Sequence, residues 1–108
     1  MFQGTAFTFY GQQVRTVRFE DGTVGFSFVD VCAAMRVDPD KALPHVDLHD
    51  YREVQVMSPT GEAYPLAVIP TVDIIRLAEM ANNDIGNYFV VWLGPNVFAR
   101  PVPDTPQV

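Results

Sequence analysis

The sequence predicts an α+β fold in which a small antiparallel sheet, built from hairpins, packs with four short helices. Three observations carry this prediction. Strand-like and helix-like segments come in runs rather than in strict alternation, which argues against a parallel sheet. Turn signals such as Asp21-Gly22 and Ser58-Pro-Thr-Gly61 separate β-type segments. The apolar residues from Ile85 to Leu93 recur at the spacing of an amphipathic helix.

Five segments have the composition and alternation of strands. The predicted strands span residues 7–10, 14–20, 24–26, 51–57 and 64–69. Gly11-Gln-Gln is the predicted turn between the first two strands. Val54 and Val56 share one face of the fourth strand, and we expect that face to be buried.

The first two predicted helices start at recognisable caps. Ser27 is expected to cap the first helix, and Asp30 completes a capping box by reaching back to a free backbone N–H. Asp38-Pro39 opens a second helix. That helix must be short, because Pro44 stops it.

The last two predicted helices carry clear apolar stripes. The third helix follows Pro70-Thr71 and runs to about Ala81, with Ile74, Leu77, Ala78 and Ala81 inward. Asp84 is expected to cap the fourth helix, and Gly94-Pro95 to end it. Its predicted stripe consists of Ile85, Tyr88, Phe89, Trp92 and Leu93. The predicted structural core consists of Phe26, Val31, Cys32, Met35, Ile74, Leu77, Phe89 and Trp92.

Composition indicates one domain over residues 1–100 and a Pro-rich tail or start of a linker over residues 101–108. Hydrophobic residues make up 48% of the 108 residues, enough for a core. A single cysteine excludes an internal disulfide and fits a reducing compartment. With no apolar run long enough to span a membrane, we expect a cytoplasmic protein that makes no membrane contact.

An ordered series of short segments resembles the N-terminal domain of the BRO family, found in phage antirepressors and in insect DNA-virus BRO proteins. The series comprises Phe26, Asp30-Val31, Cys32–Met35, Ala42-Leu43, His45–Asp47, Val68-Ile69, Phe89 and Trp92. The resemblance implies a small α+β regulatory domain in phage or viral gene control, without enzymatic activity. Family members often carry a separate C-terminal module, and some bind DNA.

Two departures from the family pattern bear on DNA binding. The family's central helix usually opens with Asn-Glu and a Gly-Leu-Tyr run, where this chain has Pro70–Ile75. Lysines and a basic stretch common around the family's last helix are replaced by Asp84, Asn87 and Ala99-Arg100-Pro101. The basic groups that would meet phosphates are therefore largely missing.

Candidate sites for chemistry are few. His45, Asp47 and His49 would share one side of an extended segment, with Asp50 beside them, and such a set can hold zinc. A polar connector explains the same residues, and we expect no metal and no cofactor. Cys32 falls on an apolar helix face, where packing explains it better than a nucleophilic role. We therefore predict no catalytic residue.

Two sets of charged residues are candidate contact surfaces. The residues available for nucleic-acid or anion contact are Arg15, Arg18, Arg36, Lys41, Arg76 and Arg100. An acidic partner-binding surface could form from Asp38, Asp40, Asp47, Asp50 and Glu53. Ordinary solvated charge is the favoured explanation of either set. Tyr88, Phe89 and Trp92 could stack on bases, but their spacing favours the core.

The net charge of −6 bears on the choice of partner, because a nucleic-acid-binding domain usually has a basic footprint. The predicted function is therefore a non-enzymatic regulatory domain that binds a protein, such as a repressor or a host factor. DNA binding, alone or as a homodimer, is the first alternative. The second is an acidic phage-type inhibitor that blocks a host nucleic-acid-binding or defence complex.

Overall fold

A computed structural model describes residues 1–99 of the chain. The elements, in chain order, are β1 (Phe2–Phe9), β2 (Gln12–Arg18), β3 (Val24–Ser27), α1 (Phe28–Met35), α2 (Pro39–Ala42), β4 (Arg52–Met57), β5 (Ala63–Ile69), α3 (Thr71–Ala81) and α4 (Asp84–Leu93). A 3-10 turn over Leu43–His45 follows α2, and a π-type turn over Gly94–Phe98 follows α4. The predicted tail, residues 101–108, lies outside the described residues.

The α+β class is confirmed, but the strands form one closed barrel rather than separate hairpins. Its strand order is β1-β2-β3-β5-β4. All neighbours are antiparallel except β1 and β4, which pair in parallel through Phe2 with Val56 and Gln3 with Met57. This pairing exists because β1 starts at Phe2, five residues earlier than the sequence predicts. The additional residues supply the edge that closes the sheet.

Two separate apolar clusters stabilise the domain. The smaller cluster belongs to the barrel strands and is built on Val17, Val54, Val56, Leu66 and Val68. The larger cluster joins the sheet to the helices and includes Phe26, Met35, Ile74, Leu77 and Phe89 among others. Burial of apolar surface on this scale is the main term that favours the folded state.

Most predicted core residues are buried. Phe26, Val31, Cys32, Met35, Ile74, Leu77 and Phe89 are fully enclosed. Trp92 differs, because its ring is only partly buried at the edge of the larger cluster. Tyr88, also predicted to face inward, is 56% exposed. The stripe on α4 is therefore narrower than its spacing suggests, with Phe89 and Leu93 at its centre.

Side-chain caps fix the helix starts. The Ser27 hydroxyl accepts a hydrogen bond from the N–H of Asp30, as predicted. Asn83 rather than Asp84 caps α4, because the Asn83 side-chain oxygen accepts the N–H of Gly86 at 2.7 Å. The same amide donates to the carbonyl of Met35, which ties α4 to the end of α1. α4 also does not stop at Gly94-Pro95, since one π-type turn continues to Phe98.

The Asp30 side chain has a different role from the predicted capping box. Its Oδ2 accepts the backbone N–H of Arg15 at 2.9 Å and the Nε–H of the same residue at 2.8 Å. The second oxygen accepts a further guanidinium N–H at 3.1 Å. The hydrogen bonds with Asp30 raise the pKa of Arg15 above its ordinary value. Asp30 therefore fastens α1 to β2.

Replacement of Phe89 by alanine should lower the free energy of unfolding by about 3–5 kcal/mol, because it leaves a cavity in the larger cluster. Val91→Ala, two residues along the same helix but 72% exposed, is the matched control. It should change stability by no more than about 0.5 kcal/mol. Urea unfolding followed by circular dichroism measures both variants, and equal losses would contradict the assigned orientation of α4.

Candidate functional site

A groove with aromatic walls lies where the β1–β2 hairpin meets α4. It has a volume of about 620 Å³. Its lining, here called the aromatic groove, consists of Phe9, Tyr10, Tyr88, Val91, Trp92 and Pro95. The hairpin supplies one wall and α4, with the turn after it, supplies the other.

Ring-to-ring contacts hold the base of the aromatic groove in place. Phe9 packs edge-to-face on Phe89, with ring centroids 5.0 Å apart, and on Trp92 at 5.3 Å. Phe89 and Trp92 are stacked at 5.5 Å. Such aromatic pairs contribute about 0.5–1.5 kcal/mol each beyond the burial of their area. The base is therefore preformed, whereas the rim is open to solvent.

The rim of the aromatic groove exposes large apolar side chains. Tyr10 is 78% exposed, Val91 is 72% exposed and Tyr88 is 56% exposed. Apolar side chains scattered singly over a surface are ordinary, but here three of them line one concave site. Tyrosine and tryptophan also combine apolar rings with hydrogen-bonding tips, which is why they are enriched at interfaces.

Tyr10 has a left-handed backbone conformation, which is strained for a tyrosine. It forms the two-residue turn of the β1–β2 hairpin with Gly11, and both have positive φ, of 47° and 80°. Asn-Gly is the preferred pair for such a turn, because a large side chain is strained in the left-handed region. The Tyr10 ring gains little burial in return, apart from its contact with Phe9 at 4.7 Å. Strain without burial points to a role outside folding.

A second, more polar pocket of about 270 Å³ adjoins the aromatic groove. The two share Phe9 and Tyr10 as lining residues, so they meet at the end of the β1–β2 hairpin. Gln12 and Arg36 also line the second pocket.

The predicted cationic residues do not form one surface that is free to bind phosphate. Arg15 is bound to Asp30, and Arg76 pairs with Asp73 at 3.1 Å. Arg18 is exposed on β2 and donates to the carbonyl of Gly22, in the turn between β2 and β3. Arg36 ends α1 and Lys41 lies in α2, both exposed. Arg100 lies outside the described residues.

The predicted acidic residues divide by role. The Asp38 side chain accepts the N–H of Asp40 at 2.9 Å and so caps α2. Asp47 accepts the N–H of His49 at 2.9 Å within the connector before β4. Asp47 and Asp50 are partly buried, whereas Asp38, Asp40 and Glu53 are exposed. Only part of the set is therefore available as a surface.

Asp73 is a buried carboxylate that the sequence analysis did not select. It lies in the first turn of α3 and is 0% exposed. Its Oδ1 accepts from Arg76 and, at 3.4 Å, from the N–H of Asp47. Its Oδ2 is buried and has no partner among the described residues. Burial raises the pKa of Asp73, and the nearby Asp50 adds to the rise against the opposing Asp47 N–H and Arg76.

The connector before β4 does not assemble the ligand set considered for zinc. Within residues 1–99, no three histidine, cysteine, aspartate or glutamate side chains are placed to hold a metal ion. Cys32 is buried, and burial raises the pKa of its thiol to about 11. The thiolate is therefore scarce at neutral pH, which does not favour a nucleophilic role. No helix in the described part is long and apolar enough to cross a membrane.

Another cleft, of about 530 Å³, lies elsewhere on the barrel, and the sequence analysis did not select it. Arg52 lies over the ring of Phe19 there, 4.5 Å from its centroid, in a cation–π contact. Acidic side chains of Glu20, Asp21 and Asp50 line the same cleft. The mixture of charges makes this cleft a poor match for a polyanion.

Comparison of the chain with protein-family models, with curated proteins and with solved structures finds no match. The resemblance to the BRO N-terminal domain therefore stays a prediction. The site has to be interpreted from its own geometry.

Substitution of Tyr10 by asparagine should raise the free energy of unfolding by about 1 kcal/mol, because it relieves the left-handed strain and creates an Asn-Gly turn. Thr8→Asn puts the same side chain into strand β1 of the same hairpin and should instead be slightly destabilising. Thermal and urea unfolding test both. A loss of stability in Tyr10→Asn would mean that the Tyr10 ring contributes more to folding than its exposure indicates.

Replacement of Asp73 by asparagine should stabilise the domain increasingly as pH rises from about 4, the ordinary pKa of an aspartate carboxyl, to the raised pKa of Asp73 in the folded state. The pKa of the Asp73 carboxyl is higher in the folded state than in the unfolded chain. At a pH between these two pKa values, the folded protein therefore keeps a proton that the unfolded chain has released. The stability of the wild-type protein therefore falls as pH rises through that interval, and the asparagine variant lacks this loss. Glu79→Gln, exposed on the same helix, controls for the removed charge. The free energy of unfolding, measured across this pH range, should differ between Asp73→Asn and wild type by an amount that grows with pH. A constant or shrinking difference would contradict the raised pKa of Asp73.

Proposed function

We propose that this chain is a non-enzymatic regulatory domain that binds a protein partner through the aromatic groove. The observation that carries the proposal is the exposed set of Tyr10, Tyr88 and Val91 around a preformed aromatic base. Binding energy at protein interfaces is concentrated in a few aromatic anchors within a well-packed patch. A small domain that leaves such side chains open to water has a ready contact surface.

The resemblance to the BRO N-terminal domain supports the choice of partner. It favours a repressor or another host factor in the cytoplasm of the host cell, as for a phage antirepressor. A net charge of −6 suits a partner with a basic surface, because opposite potentials speed encounter and suppress wrong partners. The exposed carboxylates of Asp38, Asp40 and Glu53 would contribute to that steering.

DNA binding receives less support than protein binding. Arg15 and Arg76 are neutralised by carboxylates of this domain, so two of the candidate phosphate contacts are already occupied. Affinity for DNA depends on several cations that release counterions together. The remaining described candidates are Arg18, Arg36 and Lys41, which stand on three different elements or their ends.

The test is capture of a partner from host extract by wild-type protein and by two matched variants. Val91→Gln replaces an exposed valine in the aromatic groove, and Val72→Gln replaces a 48% exposed valine on α3. Both leave the cores untouched. We expect a specific protein to be retained by wild type and by Val72→Gln, and to be reduced at least about tenfold by Val91→Gln, as for the loss of an interface anchor.

Nuclease treatment before capture distinguishes the alternatives. Retention of the partner after nuclease supports direct protein binding. Loss after nuclease, or direct binding of duplex DNA that falls steeply with salt, would replace the proposal with DNA binding. Equal capture by both valine variants would remove the aromatic groove from the binding surface.

A further inference from the structure

We propose that the free side of β1 accepts an extended segment of a protein partner as an added strand, and that this segment places apolar side chains in the aromatic groove. The side of β1 that faces away from β2, over residues 4–9, is here called the β1 edge. The inference rests on the proposed function, because it uses the same groove. It adds how the partner is bound and what kind of segment the partner presents.

Strand pairing leaves one side of β1 open over most of its length. β1 pairs with β2 from Gly4 to Phe9, but with β4 only through Phe2 and Gln3. Beyond Gln3, β1 therefore runs past the end of β4, and no described strand pairs with that side. At about 3.3 Å per residue, residues 4–9 offer an edge of about 20 Å. A strand of ordinary length fits such an edge.

The backbone groups of Ala6 and Thr8 point out of the β1 edge. Ala6 lies opposite Arg15, and the N–H of Arg15 donates to Asp30 rather than to β1. The pair is therefore a non-hydrogen-bonded one, so the N–H and C=O of Ala6 face away from β2. Thr8, two residues further on, repeats this orientation. Both residues are exposed, and outside the strand pairing no backbone–backbone hydrogen bond joins them to another residue within 1–99.

The β1 edge lacks the features that protect sheet edges elsewhere in the barrel. Exposed strands avoid unwanted pairing by carrying charged side chains or proline. Where β4 extends beyond its pairing with β1 it carries Arg52 and Glu53, and β5 contains Pro65. Residues 4–9 contain no charged side chain and no proline. An unprotected edge is a template for a further strand, and strand addition is a general mode of peptide recognition.

The aromatic groove adjoins the face of β1 on which α4 packs. Phe7 and Phe9 share that face, and both contact Trp92 edge-to-face, with ring centroids 6.4 Å and 5.3 Å apart. Side chains alternate along a strand, so every second residue of an added strand falls on the same face. Val91 and Trp92 offer apolar contacts to those side chains. The segment that fits therefore has apolar residues at alternate positions.

Charge selects the remaining positions of the segment. The net charge of the domain is −6, whereas the β1 edge carries no charged side chain. Lysine or arginine at the alternate positions that face solvent complements the domain and speeds encounter. A second copy of the chain carries the same negative charge and is repelled. The occupant is accordingly an extended, basic segment of a different protein.

Amide exchange of the free protein tests the β1 edge before any ligand is added. After correction for intrinsic rates, the N–H groups of Ala6 and Thr8 should exchange at least about tenfold faster than those of Phe7 and Phe9, which bond to β2. NMR on the full chain measures all four. Equal protection would show that the edge is already covered and would overturn the proposal. Protection that grows with protein concentration would assign the edge to a second copy, with the same consequence.

Peptides from a random library supply the binding probe. A phage-displayed library of linear dodecapeptides is selected on the immobilised full chain, and a selected peptide is synthesised. We expect the selected sequences to alternate apolar residues with lysine or arginine, and the peptide to slow amide exchange at Ala6 and Thr8. Apolar residues at helical spacing, proline-rich sequences, or the absence of any binder each overturns the proposal.

Methylation of the peptide backbone tests the pairing while the protein stays unchanged. Each peptide N–H is methylated in turn, and the affinity for the full chain is measured. In an added strand only every second N–H bonds to β1, so affinity should fall at least about tenfold at alternate positions. A series of losses without this two-residue period would overturn strand addition.

Thr8→Pro and Gln13→Pro form a matched pair of protein variants. The two residues lie opposite each other in the hairpin, both are exposed, and each N–H points away from the other strand. Thr8→Pro removes a donor from the β1 edge, whereas Gln13→Pro removes one from the far side of β2. We expect the peptide to bind Thr8→Pro at least about tenfold more weakly, and Gln13→Pro as tightly as wild type. Equal binding overturns the proposal. If circular dichroism shows that either variant is unfolded, the methylation series on the wild-type chain decides.

Peptide binding requires no natural partner, so its failure is separate from failure of the proposed function. If no peptide binds as a strand while Val91→Gln still loses a captured protein, the partner-binding role stands and strand addition is rejected. If a peptide binds as a strand but Val91→Gln and Val72→Gln capture protein equally, strand addition stands and the role of the aromatic groove in partner capture is rejected.

Discussion

The contact of Phe9 with Phe89 and Trp92 is the interaction on which the rest of the molecule depends. It joins the end of the β1–β2 hairpin to α4, two parts of the chain about eighty residues apart in sequence. Because Phe9 and Phe89 are buried, the contact belongs to the larger core and is stable. Because Trp92 is only partly buried, the same contact forms the base of the aromatic groove. Folding and the candidate site therefore share one set of rings.

The two apolar clusters explain how so small a domain can leave aromatic surface open. Valines of β2, β4 and β5, with Leu66, form one cluster, while the helices cover another part of the sheet. Stability is thus spread over two clusters, and the rim of the aromatic groove is not needed by either. Asp30, bound to Arg15, locks α1 to β2 and fixes the helical layer on the barrel.

Local features of this fold could be predicted from the sequence, and non-local ones could not. The Ser27 cap, the Asp38 cap and the hairpin of residues 51–69 follow from neighbouring residues, and the structure has them. Barrel closure depends on Phe2 meeting Val56, for which no short-range signal exists. The burial of Asp73 and the exposure of Tyr88 likewise depend on which elements pack together. Helical spacing fixes the direction of a stripe but not how far a neighbouring element covers it.

Tyr10 shows why part of the site could have been noticed and why its meaning could not. A Tyr-Gly pair between two strands is an unusual turn, which the sequence alone makes visible. Only the structure adds that Tyr10 is 78% exposed and lines both the aromatic groove and a more polar pocket. An exposed apolar rim invites self-association, which a net charge of −6 opposes by mutual repulsion. Under the proposed function, this repulsion favours a partner of opposite charge over a second copy of the same chain.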